Sequence, residues 1–435
     1  MKRLFTVLLT LCLTALFVAC TTNNTPENAD TEIHPFSEEQ KNAEAQWPPL
    51  EGKIAIITVP KWQDLETNYS AQHIVDKYGK DMVMHITWPD RYKDETKQVI
   101  SIVEELGQNT EIKAIIASNT VTGMNACIDK LSETRPDVFI VYCQPSNEPN
   151  IAQVADLIIG EDFLGTGQAM VEQAQKMGAK TFIYYSSSRF LAYPVIFEMR
   201  KRIKEKCEEL NIEFLNAGEL DMPSAQINLN VDKYIQIYGK DTAFYCPGVI
   251  GNIIGEVVTG GAILPQPWNP SPYIGFPEIL GIRWPDGKSF FDAEELMPLD
   301  YLISEATRIA AEKGFTGRLS TWPVPANMLN TVSAAEYAIK WINGEVPKEG
   351  VDVEVLKQLM EDYAGVRVYL TPYTDKYPYT ADVDAEVLQQ IKERVFSGEA
   401  YSILNTDEYP YPYADVGTGE IHENFLLMRM DYITF

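Results

Sequence analysis

Five short apolar runs, each followed by a helix-like segment, restrict this chain to an α/β architecture. The runs are "IAIIT" from Ile54, "VMHIT" from Val83, "AIIAS" from Ala114, "VFIVYC" from Val138 and "LIIG" from Leu157. Their apolar residues occupy successive positions rather than alternate ones, the pattern of strands whose two faces are both covered by helices. Between them lie helical segments, such as "ETKQVISIVEEL", with Val99, Ile102, Val103 and Leu106 on one face. There Asp94 is the predicted N-cap and Gly107 the predicted stop. A second series follows, with strands predicted at "TFIYYS", "IEFLNAG", "TAFYCPG", "YIGF" and "RLSTW", and a helix predicted from about Ala326 to Asn343. Two such series in tandem predict two doubly wound parallel-sheet lobes joined by hinge crossings. The crossings are expected near Asp156–Asp162, near Trp322–Pro325 and again after about Gly365.

The ends of the chain read differently. Lys2 and Arg3 precede an apolar stretch from Leu4 to Phe17, too short for a membrane-spanning helix of roughly 20 residues and suited to a signal peptide over residues 1–19. Leu16-Phe17-Val18-Ala19-Cys20 resembles the lipobox of bacterial lipoproteins, which implies a lipid on Cys20 and an extracytoplasmic, membrane-anchored chain. Residues 20–49 are polar and acidic and are expected to form a disordered tether. Lobe 1 is assigned residues 50–158 plus 324–365, and lobe 2 residues 159–323. Residues 366–435 are a Pro/Tyr-rich extension, with a helix predicted from Ala385 to Phe396, capped by Asp384, and a strand in "NFLLMRMDYITF". Its rings and prolines suit a segment that packs on the lobes; a partner-binding surface is the alternative.

A net charge of -26 repels nucleic acid and anionic lipid, leaving the lipid as the expected link to the membrane. Cys127, Cys143, Cys207 and Cys246 form no CxxC and are expected as buried thiols rather than zinc ligands. Enzyme signatures are missing: the chain contains no GxSxG, HExxH or GxxxxGK[ST], and Ser186, Ser187 and Ser188 have no evident base to activate them. His73 and Asp76 have a metal-like spacing without further ligands. No catalytic residue, metal or cofactor is expected.

Open α/β sheets bind ligands beyond the carboxyl ends of their strands, which selects candidates without a motif. From lobe 1 these are Lys61 and Trp62, Trp88, Asn119 and Gln144. From lobe 2 they are Tyr185, Ser186, Ser188 and Arg189, with Trp322 at a crossing. Arg189 lies between a strand end and a helix predicted to start near Pro194, a setting that suits an anionic group. The tryptophans offer flat faces to a sugar, a nucleoside or another ring.

Together, the lipobox, the tether and the two lobes resemble type I periplasmic binding proteins. More narrowly, "YGKDTAFYCPG" at Tyr238–Gly248 and "GAILPQPWNPSPYIGFPEILGI" at Gly261–Ile282 resemble a bacterial family of that fold catalogued only as a domain of unknown function. Where that family has Ser, an aromatic, Pro, Arg and His in order, this chain has Ser186, Ser187, Ser188, Arg189 and Phe190, keeping Ser and Arg but not Pro and His. The resemblance implies a fold and a cleft but no activity. The expected role is capture of a small polar solute (sugar-, nucleoside- or amino-acid-like) between the lobes, for an ABC-type permease or a sensor. The alternative is a cell-surface interaction protein with a vestigial cleft.

Overall fold

The structure is a computed structural model that describes residues 51–121, 123–145, 151–186, 194–219, 224–246, 251–267, 269–289, 295–374 and 421–435. The first series forms β1 (Lys53–Thr58), α1 (Leu65–Tyr78), β2 (Val83–Thr87), α2 (Thr96–Gln108), β3 (Ile112–Ala117), α3 (Met124–Thr134), β4 (Phe139–Tyr142), α4 (Ile151–Val154) and β5 (Leu157–Glu161). These five strands lie side by side in the order β2-β1-β3-β4-β5, all parallel. Ile54, Ala55, Ile56 and Ile57 are all buried, because helices cover both faces of the sheet as the unbroken apolar run requires.

The second series forms α5 (Phe163–Lys176), β6 (Thr181–Ser186), α6 (Pro194–Glu209), β7 (Glu213–Glu219), α7 (Ser224–Tyr238), β8 (Thr242–Tyr245), α8 (Gly251–Gly260), α9 (Phe276–Leu280), α10 (Leu299–Lys313) and β9 (Ser320–Thr321). Strands β7, β6 and β8 are parallel neighbours. The sheet continues through single parallel bridges, Ala243 to Ile263 and Leu264 to Leu319. The fourth strand position of lobe 2 is therefore at Ile263–Leu264, not at "YIGF". Tyr273 and Phe276 instead belong to a loop and the start of α9, buried against lobe 1 and lobe 2 alike. Each lobe thus repeats the order 2-1-3-4-5, one of the two common doubly wound arrangements.

Three crossings join the lobes. Strand β5 stays whole in the first sheet, and the chain leaves it at Asp162, whose carboxylate caps α5 by accepting from the Gly165 N–H at 2.8 Å. After β9 the chain returns through Trp322 to α11 (Ala326–Ile342), which packs on α1, and to α12 (Val353–Ala364). Two strands of the C-terminal segment then complete the first sheet: β10 (Val368–Thr374) and β11 (Ile421–Met430), with β11 parallel to β5 and β10 antiparallel at the edge. The last crossing falls at Asp431–Tyr432, after which β12 (Ile433–Thr434) pairs antiparallel with β9. The helix predicted at 385–396 lies outside the described residues, as do the signal, Cys20 and the tether.

One local expectation is overturned. Asp94 does not cap α2, because its carboxylate is held by the Arg91 guanidinium at 2.9 Å. Glu95 stands at the cap without a side-chain bond, and the helix runs past Gly107 to Gln108. A Cβ at Gly107 would stand 2.4 Å from the Leu131 Cδ1 methyl of α3, so the two helices approach closely there and that methyl would have to turn aside. The four cysteines from Cys127 onward are free thiols; Cys143, Cys207 and Cys246 are buried.

Candidate functional site

All three crossings leave from carboxyl ends of strands (β5, β9 and β11), so these edges of the two sheets meet at the hinge. On the lobe 1 edge, side chains are held by hydrogen bonds to one another. Thr58 Oγ1 and His85 Nε2 are 2.9 Å apart. The Trp88 backbone N–H donates to the Thr58 carbonyl at 2.8 Å, and its indole N–H donates to the Asn119 carbonyl at 3.1 Å. Asn119 Nδ2 donates in turn to Gln144 Oε1 at 2.9 Å. Three predicted residues, Trp88, Asn119 and Gln144, therefore form one connected row across the ends of β2, β3 and β4.

The start of α1 extends this edge. Asp64 caps the helix through the Thr67 N–H at 3.0 Å and accepts from Asn327 Nδ2 of α11 at 3.1 Å. Beside it, Glu66 Oε1 accepts from the Ser271 hydroxyl at 3.3 Å, a bond from the loop that follows the fourth strand position of lobe 2. Burial, with Asp64 adding repulsion, pushes the Glu66 carboxyl up to about 7.

The other predicted residues are distributed unevenly. Lys61 and Trp62 are exposed, Trp62 at 72%, and the Trp62 indole N–H donates to Asp90 Oδ1 at 3.2 Å. They stand on the rim beyond the row. Trp88 is 1% exposed and Trp322 fully buried, so neither offers an open ring face: Trp88 fixes the strand ends, and Trp322 packs where the second crossing begins. Tyr185 is buried, stacked on Phe244 with centroids 6.4 Å apart, and its hydroxyl has no hydrogen-bond partner among the described residues. Ser186 ends β6; Ser188 and Arg189 lie outside the described residues.

Sequence reasoning missed residues at two of the crossings and at a neighbouring strand end. Glu161 ends β5, Tyr245 ends β8, and Tyr432 occupies the last crossing, where its hydroxyl bonds to Gln266 Oε1. Glu161 is largely enclosed by protein, with part of its side chain still within reach of water. Burial first, and the neighbouring Asp162 second, push its carboxyl up to about 8. Asp162 is also raised by burial, against the Gly165 N–H and the Arg429 guanidinium 3.8 Å away. The strand-end rule applied to "LIIGE" would have found Glu161. Nothing local marks Tyr432, which depends on pairing between strands remote in sequence.

Fold and edge geometry define the class: a two-lobed α/β protein of the type I periplasmic-binding-protein architecture, with a polar interlobe edge. The chain belongs to the family described as "Protein of unknown function (DUF3798)", whose pattern matches residues 53–320. A protein of Treponema pallidum (strain Nichols), described as "Uncharacterized protein", is 29% identical over 221 residues, 48% of this chain and 99% of the relative. A second from the same organism, described in the same words, is 23% identical over 168 residues, 37% of this chain and 76% of the relative. Among solved structures, a "Putative transcriptional regulator" from Clostridium difficile 630 superposes with a TM-score of 0.71 at 19% identity, covering 89% of this chain and all of the other. That likeness carries the fold alone. No helix among the described residues is long and apolar enough to cross a membrane.

Proposed function

We propose that this protein is a membrane-anchored extracytoplasmic lipoprotein that captures a small polar organic solute between its lobes and presents it to an ABC-type importer or a sensor. The observation that carries this reading is the prearranged row Trp88–Asn119–Gln144 at the ends of three strands, facing the hinge. A row already fixed by hydrogen bonds loses little freedom when a ligand arrives, and lobes joined by three short crossings can close about it. Lys61 and Trp62 on the rim, Ser186 at the end of β6, and Ser188 and Arg189, which follow it in the sequence, are the proposed remaining contacts. Tyr185 and Trp322, both buried, are left out of the proposed contacts.

The test is a thermal-shift screen of sugars, nucleosides, amino acids and small amines on the mature chain, repeated with Asn119→Ala and Arg189→Ala. A solute that raises the melting temperature of the native chain is expected to bind each variant at least about tenfold more weakly, the scale of one lost ligand hydrogen bond to a charged or fixed polar group. Equal shifts in all three proteins would remove those two residues from the site. For the anchor, Cys20→Ala is expected to move the protein from the membrane fraction to the soluble fraction, because a body of net charge -26 has no electrostatic hold on anionic lipid. Retention in the membrane fraction would overturn lipidation at Cys20.

A further inference from the structure

A loop of lobe 2 reaches across the hinge and bonds to lobe 1. It runs from the fourth strand position at Ile263–Leu264 to α9, which packs on α8 and α10 of lobe 2. The Tyr273 hydroxyl pins it there by donating to the Met297 carbonyl at 2.6 Å. Its turn is held by the Ser271 N–H, which donates to the Asn269 carbonyl at 2.8 Å, and by the Ile274 N–H, which donates to the Ser271 carbonyl at 3.1 Å. Within the turn, the Tyr273 N–H donates to Ser271 Oγ at 3.2 Å. That oxygen is thus used as an acceptor, and the one proton of the hydroxyl is left to serve another group. It goes to Glu66 Oε1 of α1, 3.3 Å away in lobe 1. Ser271 is fully buried and Tyr273 nearly so, which shields this bond from competing water. The receiving side is fixed too. Glu66 lies in the first turn of α1, whose cap Asp64 accepts from the Thr67 N–H and, through both carboxylate oxygens, from Asn327 Nδ2 at 3.1 and 3.3 Å. Both α1 and α11 pack on the first sheet and on each other, so the acceptor moves only with lobe 1 as a whole.

We propose that Ser271 and Glu66 form a latch between the lobes, made while they lie together and broken when they part about the hinge. The latch goes beyond solute capture and does not depend on it. It also carries a proton signature. With the lobes together, burial, and Asp64 second, raise the Glu66 carboxyl to about 7, against an ordinary value of 4.5 for a hydrated glutamate. The latched form therefore holds the proton more tightly than the open form. Its hold is fully present below about pH 4.5 and is lost as pH rises through 7. The other titratable groups on this side leave the sign unchanged. Asp64 repels the ionised form of Glu66. Tyr273 of the loop, Tyr69 of α1 and Tyr363 of α12 are all raised by burial and stay neutral across this range, and Asp300 of α10, which acts on Tyr273, carries the same charge as Asp64.

The experiment is amide hydrogen exchange of the mature chain without ligand, corrected for the intrinsic effect of pH, together with small-angle X-ray scattering. The proteins compared are the native chain, Ser271→Ala, Glu66→Ala, the double variant, and Glu66→Gln, which keeps an oxygen to accept from Ser271. At pH 6 each alanine variant is expected to speed exchange about fivefold in residues 64–70 and 269–276 alike, the scale of one lost hydrogen bond. The double variant should add little to either single change, and the radius of gyration should increase in all three. From pH 6 to pH 8 the native chain should speed roughly tenfold in both segments, while Glu66→Gln stays slow throughout. Unchanged exchange in β1 and β3 verifies that a variant folds; if an alanine variant fails this check, the flat pH profile of Glu66→Gln against the native rise carries the test. Acceleration confined to residues 269–276 in Ser271→Ala would mean that the serine only supports its own turn, and would overturn the latch. Fully additive alanine effects, an unchanged radius of gyration, or a pH rise in Glu66→Gln equal to the native one would overturn it as well. None of these results bears on whether a solute binds between the lobes.

Discussion

A chain ending at Glu420 is expected not to fold. The segment it lacks is not a peripheral strap: β11 lies between β5 and β10, pairing Phe425 with Ile158, Leu426 with Ile159 and Leu427 with Gly160 on one side, and seven residues of β10 on the other. Phe425, Leu426, Leu427, Met428, Met430 and Phe435 are all buried. Burying such side chains contributes roughly 1.5–3 kcal/mol each, so their joint loss is about 10 kcal/mol or more, comparable with the whole stability of a typical domain, about 5–15 kcal/mol. The truncation also opens the edge of β5 to water and removes β12 from β9, so both lobes are affected. Circular dichroism and a thermal melt check the outcome. A truncated chain that melts cooperatively near the native temperature would show that the C-terminal strands are accessory, and would revive the reading of this segment as a free partner surface.

The second large effect is expected from Glu161→Gln, and it depends on pH. An unfolded glutamate titrates near 4.5, whereas in the folded protein Glu161 is raised to about 8. The folded state therefore holds this proton more tightly. The associated stability is fully present below about pH 4.5 and is lost as pH rises toward 8. At 1.36 kcal/mol per pH unit, the loss in the native chain is on the order of 4 kcal/mol by pH 9. Glutamine cannot ionise, so the variant escapes this loss. Urea unfolding at pH 5 and pH 9 should find the two proteins nearly equal at the lower pH and the variant more stable at the higher by about 3–5 kcal/mol. Glu66, raised to about 7, adds a loss of the same sign over the window from 4.5 to 7 in both proteins and cancels from the comparison. A difference that does not change with pH would mean that Glu161 is not desolvated in the folded protein.

The parts of this molecule legible in its sequence are those set by local burial. Unbroken apolar runs marked β1 to β5 because a strand covered on both faces has no polar side to show. The strand-end rule then led to Trp88, Asn119 and Gln144, which the fold does link. Decisions made between remote segments were not legible. Ile263–Leu264 takes the fourth strand position in lobe 2 through single bridges to Ala243 and Leu319, too short a run to show a period, while the longer apolar "YIGF" is spent on a loop and helix start. Asp94 reads as a cap until Arg91 engages it. Trp322 reads as a cleft aromatic from its place after a strand, but the crossing it begins is enclosed by both lobes. Glu161 was within reach of the same rule that found Asn119. Its burial depends on the packing of segments remote in sequence, which no local pattern shows.

The measurement that bears most directly on solute capture is a crystal structure of the protein purified from cells that make it, with no small molecule added. A solute retained between the lobes is predicted, in contact with the Trp88–Asn119–Gln144 row. Lobes packed directly against each other, with water alone along that row and no change after soaking with the solutes screened, would contradict it.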